Sequence, residues 1–165
     1  MEKDQDPRHL PNRDTHNCFG CSPINPSGLQ MKFFTRDNVV FSRLKVPDHL
    51  CGWDRLVHGG VISTILDEIM SWTGIYVLKQ ITMTKSMTVE FIKPVYIDSE
   101  LKAEGRVLDK TGKHEALLEG HLYNDQGTLC ARSNAHFVIF SPKVAKRLGI
   151  ARKEHLEWFE EIYNI

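Results

Sequence analysis

The sequence has no excess of charge of either sign. Its 165 residues include 21 Lys plus Arg and 21 Asp plus Glu, so the formal net charge is zero. Proteins that bind nucleic acid through its phosphates need an excess of positive charge. The balanced composition therefore argues against bulk nucleic-acid binding.

The sequence also lacks an apolar run suited to a signal peptide or a membrane span. Residues 1–12 are polar, unlike the apolar centre of a secretory signal. The longest apolar stretch, residues 61–78, carries Asp67 and Glu68 at its middle, where charge is costly in lipid. We therefore expect a cytoplasmic protein without a membrane span, in which this stretch forms a buried helix.

Cysteine is scarce, with four residues that the cytoplasm would keep reduced. Cys18 and Cys21 have the spacing of half a zinc site. The remaining ligands would have to come from Cys51, Cys130 or His16, and no second closely spaced pair is present. A redox motif of this spacing would follow a strand and open a helix, which this segment does not offer. We interpret the pair as structural and expect neither a metal nor a cofactor.

The chain length fits one domain, and no repeat or low-complexity tract divides it. Proline and glycine punctuate residues 1–28, which we predict to be an irregular N-terminal segment. Residues 29–141 form the predicted domain. Residues 142–165 form a polar helical tail with an apolar stripe.

Hydrophobic periodicity within the domain predicts two short strands, one long helix and four further strands. A single apolar helix must be covered, and an antiparallel sheet of about six strands is the available cover. We therefore predict an α+β fold in which the sheet wraps around one central helix. The predicted strands are 29–36, 39–46, 83–92, 101–108, 114–123 and 129–140, and the helix runs from the glycine pair at 59–60 to about residue 78.

His58, Gly59 and Gly60 stand at the predicted start of this helix. Two consecutive glycines leave their backbone amides uncovered by side chains. The first amides of a helix have no internal partner and lie at the positive end of the helix dipole. Such amides can hold an oxygen that becomes negatively charged during a reaction. The alternative is a tight turn without chemistry.

Asp67 follows His58 by nine positions. On the apolar helix its carboxylate should be partly desolvated, which raises the pKa toward the range useful for a general base. The alternative is that Asp67 and Glu68 form a solvated surface pair. The residues three, four and seven positions from Asp67 share its helix face, and most of them are small: Gly60, Ser63, Thr64, Met70, Ser71 and Gly74. Small neighbours would leave room for a substrate or a second helix.

Residues 57–70, VHGGVISTILDEIM, resemble the helix signature of PaaI-like hotdog thioesterases. The resemblance extends to CFGC at 18–21, NPSGL at 25–29 and VEFIKPV at 89–95. It covers residues 17–140. The fold of that family, a sheet wrapped around one long helix, agrees with the order of elements predicted above.

The resemblance implies hydrolysis of an acyl-CoA thioester to free acid and CoA. By matching position, Asp67 would be the general base or the nucleophile, the Gly59 amide the oxyanion donor, and His58 part of the same pocket. A hydroxyl on the strand after the helix often assists the acid of the family. Thr84 falls at that position, with Ser86 as the alternative. The residues expected to contact substrate are Gly60, Ser63, Ser71, Thr84 and Ser86.

Active sites of the family lie between two subunits, so the resemblance also implies a homodimer or homotetramer with shared sites. The chain departs from the family at Gly52, six positions before His58. Some members carry an Asn or Gln there. Asp54 and His49 are the neighbours considered as replacements.

Two other functions stay open. One is the dehydration or hydration of an acyl thioester, but those hotdog enzymes usually carry a catalytic His in a different motif, so Asp67 favours hydrolysis. The other is a non-catalytic acyl-CoA sensor, which would normally carry a DNA-binding or partner domain, and 28 leading residues are too few for a helix-turn-helix. Glu68, about 100° around the helix from Asp67, is a second candidate acid.

Overall fold

A sheet of seven antiparallel strands wraps around one long helix in the computed structural model, which describes residues 6–165. The first five residues of the predicted N-terminal segment lie outside this range. The helices are α1 (Gly59–Leu78), α2 (Pro142–Arg147) and α3 (Lys153–Tyr163). The strands are β1 (Arg8–His9), β2 (Phe34–Arg36), β3 (Val39–Leu44), β4 (Cys51–Trp53), β5 (Leu56–Val57), β6 (Ile81–Phe91), β7 (Leu101–Asp109), β8 (Glu115–Tyr123) and β9 (Leu129–Phe140).

The strand order in the large sheet is β1-β2-β3-β7-β8-β9-β6, and every neighbouring pair is antiparallel. Strands β7, β8 and β9 form a meander. Strand β6 comes directly after the helix but pairs with β9, so it occupies an edge of the sheet. Strands β4 and β5 form a separate two-stranded ribbon just before α1. The α+β prediction is confirmed.

Helix α1 lies in the core because its apolar residues recur at helical spacing and face the sheet. Ile65, Leu66, Ile69 and Met70 have no exposed surface. Complete burial of each such side chain contributes about 1.5–3 kcal/mol relative to exposure. The helix has the length and mean hydropathy of a membrane span, but half of its most apolar window is buried within the structure.

Two glycines in the sheet allow α1 to approach closely. Gly105 on β7 and Gly120 on β8 face each other in the register of the two strands. A Cβ on Gly105 would overlap Thr73 Oγ1 and would lie 2.8 Å from the carbonyl oxygen of Ile69. A Cβ on Gly120 would lie 3.2 Å from the Met70 side chain. The helix therefore rests directly on the backbone of these strands.

The strand predicted at 29–36 is shorter in the structure, where only 34–36 belongs to the sheet. Gln30 has a φ of 50°, which interrupts the extended conformation. The amides of Leu29 and Met31 bond to the carbonyl oxygens of Phe19 and Gly20 rather than to another strand. This segment therefore holds the loop that contains the two neighbouring cysteines.

The C-terminal tail forms two helices instead of one, because Gly149 between them adopts a φ of 67°. Helix α3 packs against the domain through Phe159 and Ile162, which are buried. The Trp158 indole N–H donates to the carbonyl oxygen of Pro11 at 2.8 Å, and its ring meets the edge of Trp72. The tail thus connects the N-terminal segment with α1.

Candidate active site

The first turn of α1 contains one backbone amide that has no partner. His58 precedes the helix, and its Nδ1 accepts a hydrogen bond from the Gly60 amide at 2.9 Å. The carbonyl oxygen of His58 accepts bonds from the amides of Val61 and Ile62. Within residues 6–165, the Gly59 amide makes no hydrogen bond. It is therefore the amide of this turn that is available to a ligand.

Gly59 has space beside it, whereas Gly52 does not. A Cβ on Gly59 would make ordinary contact with the Phe91 ring at 3.5 Å. A Cβ on Gly52 would lie 2.8 Å from the Cα of His58. No side chain fits at that position, so the side-chain amide of the Asn or Gln that some family members carry there has no equivalent. Among the described residues, neither His49 nor Asp54 donates a side-chain hydrogen bond to the helix start.

The structure brings Thr84 to Asp67. Thr84 lies on β6, and its Oγ1 donates to Asp67 Oδ1 at 2.6 Å. The strand has a bulge at Lys85, because Thr84 pairs with Phe137 and Ser86 pairs with the adjacent His136. The bulge reverses the alternation of side chains.

After this bulge, Met87 and Val89 pack against the core. Because side chains alternate along a strand, Ser86 points to the opposite face. Thr84, and not Ser86, therefore contacts the acid. A carboxylate fixed in this way has a defined orientation toward the space beside β6.

Burial is the main electrostatic influence on Asp67. Desolvation raises the pKa of its carboxyl group, and the negative charge of Cys18 acts in the same direction. The hydrogen bond from Thr84 acts against this rise. The result is a carboxylate that accepts a proton more readily than one in water.

Glu68 faces a different part of the molecule. Its carboxylate Oε1 lies 3.1 Å from Cys18 Sγ. Desolvation, followed by the charge of Cys18, raises the pKa of Glu68 to about 8. Asp67 and Glu68 therefore do not form a solvated surface pair, and they do not share one site.

The loop of residues 18–21 lies directly on Glu68. A Cβ on Gly20 would overlap the Glu68 side chain. Cys18, Cys21 and Glu68 each offer one possible ligand atom, and these three atoms lie within 4.8 Å of one another. The ligands predicted from sequence are cysteine and histidine only, and they do not include Glu68. Its position, one residue after Asp67 on an apolar helix, was the available signal.

The other predicted contact residues use their hydroxyl groups locally. Ser63 donates to the carbonyl oxygen of Gly59 at 2.9 Å, which is a bond within α1. Ser71 forms a 2.9 Å hydrogen bond with Thr82 on β6. Gly60 is exposed, and its amide is occupied by His58. The roles of these residues toward a substrate stay predictions.

Comparison with known families finds a similarity over the middle of the chain. Residues 55–131 match the family model described as the Thioesterase superfamily. This segment contains α1 with Asp67 and β6 with Thr84. A sheet wrapped around such a helix is the hotdog fold, and residues 55–131 are similar to the thioesterase superfamily.

Solved structures share the fold at low sequence identity. A hypothetical thioesterase protein with coenzyme A from Streptococcus pneumoniae is 20% identical with a TM-score of 0.60, and the match covers 65% of this chain and 82% of that chain. The protein smu.793 from Streptococcus mutans, bound to acetyl CoA, is 17% identical with a TM-score of 0.62. The match covers 67% of this chain and 89% of that chain. The PaaI protein from the phenylacetic acid degradation operon of E. coli is 15% identical with a TM-score of 0.62. The match covers 68% of this chain and 81% of that chain. A search of curated protein sequences finds no match.

Proposed function

We propose that the protein hydrolyses an acyl-CoA thioester to a free acid and CoA. The observation that carries this proposal is the 2.6 Å hydrogen bond from Thr84 to Asp67. Asp67 lies on the helix whose first amide, that of Gly59, has no partner among residues 6–165. These groups supply a fixed carboxylate and an oxyanion donor. The neighbours that contain coenzyme A or acetyl CoA support the ligand class.

In this proposal Asp67 accepts a proton from a water molecule while the water oxygen attacks the thioester carbonyl carbon. The carbonyl oxygen becomes negatively charged and accepts a hydrogen bond from the Gly59 amide. The carbon–sulfur bond then breaks, and the CoA sulfur receives the proton. The alternative is direct attack by Asp67, which gives a mixed anhydride that water hydrolyses. A single turnover in ¹⁸O-labelled water places the label in Asp67 only in the second case.

The distance along α1 supports a site shared between two copies of the chain. Gly59 and Asp67 are eight residues apart, which corresponds to about 12 Å of helix rise. Groups that act on one carbonyl must lie within hydrogen-bonding reach of it. One chain therefore does not place both groups on the same thioester. We infer that Asp67 of one copy works with Gly59 of another, in a homodimer or in a homotetramer built from such dimers.

The edge strand β6 supports this inference. An edge strand offers unpaired backbone groups to another strand. Met83 and Phe91 on β6 are 47% and 57% exposed in the single chain. Pairing through β6 would cover these side chains and bring the helix start of one copy toward Thr84 of the other.

The test is release of free thiol from a panel of acyl-CoAs that differ in chain length and aromatic character. We expect turnover by the unaltered protein and a loss of about 10²–10⁴-fold for Asp67→Asn, the range for a general base. Asp125→Asn, on an exposed turn, is the matched control.

Other outcomes of this assay distinguish the alternatives. Loss of turnover in Glu68→Gln with full activity in Asp67→Asn would move the catalytic acid to Glu68. Binding of acyl-CoA without thiol release would indicate a sensor. Addition of water to an enoyl-CoA would indicate a hydratase.

A further inference from the structure

We propose that Cys18, Cys21 and Glu68 bind a thiophilic divalent transition metal, for which Zn²⁺ is the first candidate. Their two Sγ atoms and a carboxylate oxygen lie within 4.8 Å of one another. Donor atoms of a tetrahedral zinc site are about 3.5–3.8 Å apart, given Zn–S and Zn–O bonds of about 2.3 and 2.0 Å. Small side-chain movements bring all three groups to one ion, with water in the fourth position.

The loop holds the two thiols on one turn. Cys18 and Cys21 are three residues apart, and the Ser22 amide donates to the carbonyl oxygen of Cys18 at 3.2 Å. The thiolate is the form of cysteine that binds metals. Both thiols would release their protons to solvent when the ion binds.

Glu68 supplies the third donor without any reorganisation of the helix. Its half-buried carboxyl group lies against Cys18 and forms no ion pair with a described residue. Burying a carboxylate is costly unless a cation compensates it. A metal ion would provide that compensation.

The loop is fixed on both sides of the cluster. The amides of Leu29 and Met31 bond to the carbonyl oxygens of Phe19 and Gly20 at 2.8 and 3.0 Å. On the other side, Gly20 lies against the Glu68 side chain so closely that no Cβ fits. Pre-arranged donors lose less entropy when they bind an ion.

The surrounding charge suits an anionic complex. Two thiolates and one carboxylate around a divalent ion leave one negative charge in excess. Arg13 lies near Cys21, and its positive charge would favour such a complex. The metal would tie the loop to the middle of α1, next to Asp67 but not bound to it, since Asp67 contacts Thr84. This proposal does not depend on the proposed hydrolysis.

The experiment uses the full chain, freed of metal with a chelator and kept reduced, with Co²⁺ as the probe. Thiolate ligation to Co²⁺ gives strong charge-transfer absorption that oxygen ligands do not give. We expect saturation at one equivalent, displacement by Zn²⁺, and a higher melting temperature with Zn²⁺ than with chelator. Cys18→Ser should weaken binding by at least about 10²-fold, since second-shell changes alone cost about 10–100-fold. Glu68→Gln should also weaken it.

Cys51→Ser is the matched control, because Cys51 is an exposed free cysteine outside the cluster. It should leave the titration unchanged. Absence of charge-transfer absorption from the folded, reduced, unaltered protein would overturn the proposal, whatever the variants show. A response of Cys51→Ser equal to that of Cys18→Ser would also overturn it, because the metal would then not be specific to this cluster.

Discussion

Gly59 contributes a backbone amide, so its role is tested by adding a side chain. A Cβ at this position meets only the Phe91 ring at 3.5 Å, and its φ is not positive. We expect Gly59→Ala to keep the melting temperature or raise it slightly, because alanine suits a helix better than glycine. The added methyl group should obstruct the approach of the thioester to the amide, so we expect kcat to fall on the order of 10²-fold, the scale for losing one oxyanion donor.

Both quantities should be measured on one preparation of Gly59→Ala. If glycine serves only a turn, the variant loses stability, and its activity follows the folded fraction. A destabilised variant with full activity per folded molecule contradicts the oxyanion role.

Thr84 is proposed as a positioning residue for Asp67. Thr84→Val keeps the shape of the side chain but removes the hydroxyl that donates at 2.6 Å. A hydrogen bond to a charged group contributes about 1.5–3 kcal/mol, so we expect kcat to fall at least about 10-fold. KM should change little, and Thr84→Ser should restore most of the rate. Steady-state kinetics of both variants check this.

A purely structural role for Thr84 gives a different pattern. Valine, which keeps the volume, would then be tolerated better than serine, which loses a methyl group. Equal kcat in the unaltered protein and Thr84→Val would remove the proposed role.

At the scale of elements, close packing of α1 on the sheet depends on Gly105. A methyl group there would overlap Thr73 Oγ1 and press on the carbonyl oxygen of Ile69. We expect Gly105→Ala to lower the free energy of unfolding by about 1–3 kcal/mol, the usual cost of overpacking. Urea denaturation at one fixed protein concentration measures this change.

Gly112→Ala is the control for this prediction, because nothing lies within 4 Å of its added Cβ. Its effect should stay within about 0.5 kcal/mol, as for most surface changes. Equal stability of the two variants would show that the sheet has room for a methyl group under α1.

The elements differ in how far sequence predicts them. Periodicity and the glycine pair predict α1 within one residue, since an amphipathic pattern over twenty residues has few alternatives. Alternation also predicts β9 at its observed bounds, 129–140. The segment at 29–33 has the same alternation but not the same structure. Its hydrogen bonds go to a distant loop, and local alternation contains no information about that partner.

At the scale of the whole molecule, the contact of Asp67 was easier to predict than the cysteine cluster. The resemblance implies a hydroxyl on the strand after the helix, at Thr84 or Ser86, and Thr84 makes the contact. Cys18 and Glu68 are 50 residues apart, and only the folded chain shows that the loop covers α1 at this point. The cytoplasmic location and the three-part division of the chain stay predictions.

Sharing of the site between two copies gives a specific result in a mixing experiment. Asp67→Asn and Gly59→Ala are each expected to be nearly inactive alone. In a mixed dimer, one site would contain both altered residues and the other would contain neither. After equal amounts exchange subunits, about half of the dimers are mixed and half of their sites are intact, so about a quarter of the activity returns.

The control for the mixing experiment combines both substitutions in one chain and mixes it with the unaltered protein. In a shared site each mixed dimer then has one altered residue in every site and is nearly inactive. If both groups act within one chain, the double variant leaves the unaltered subunits fully active, and the two single variants never complement each other. Sedimentation at the assay concentration must show dimers or tetramers, and an active monomer would exclude the shared site.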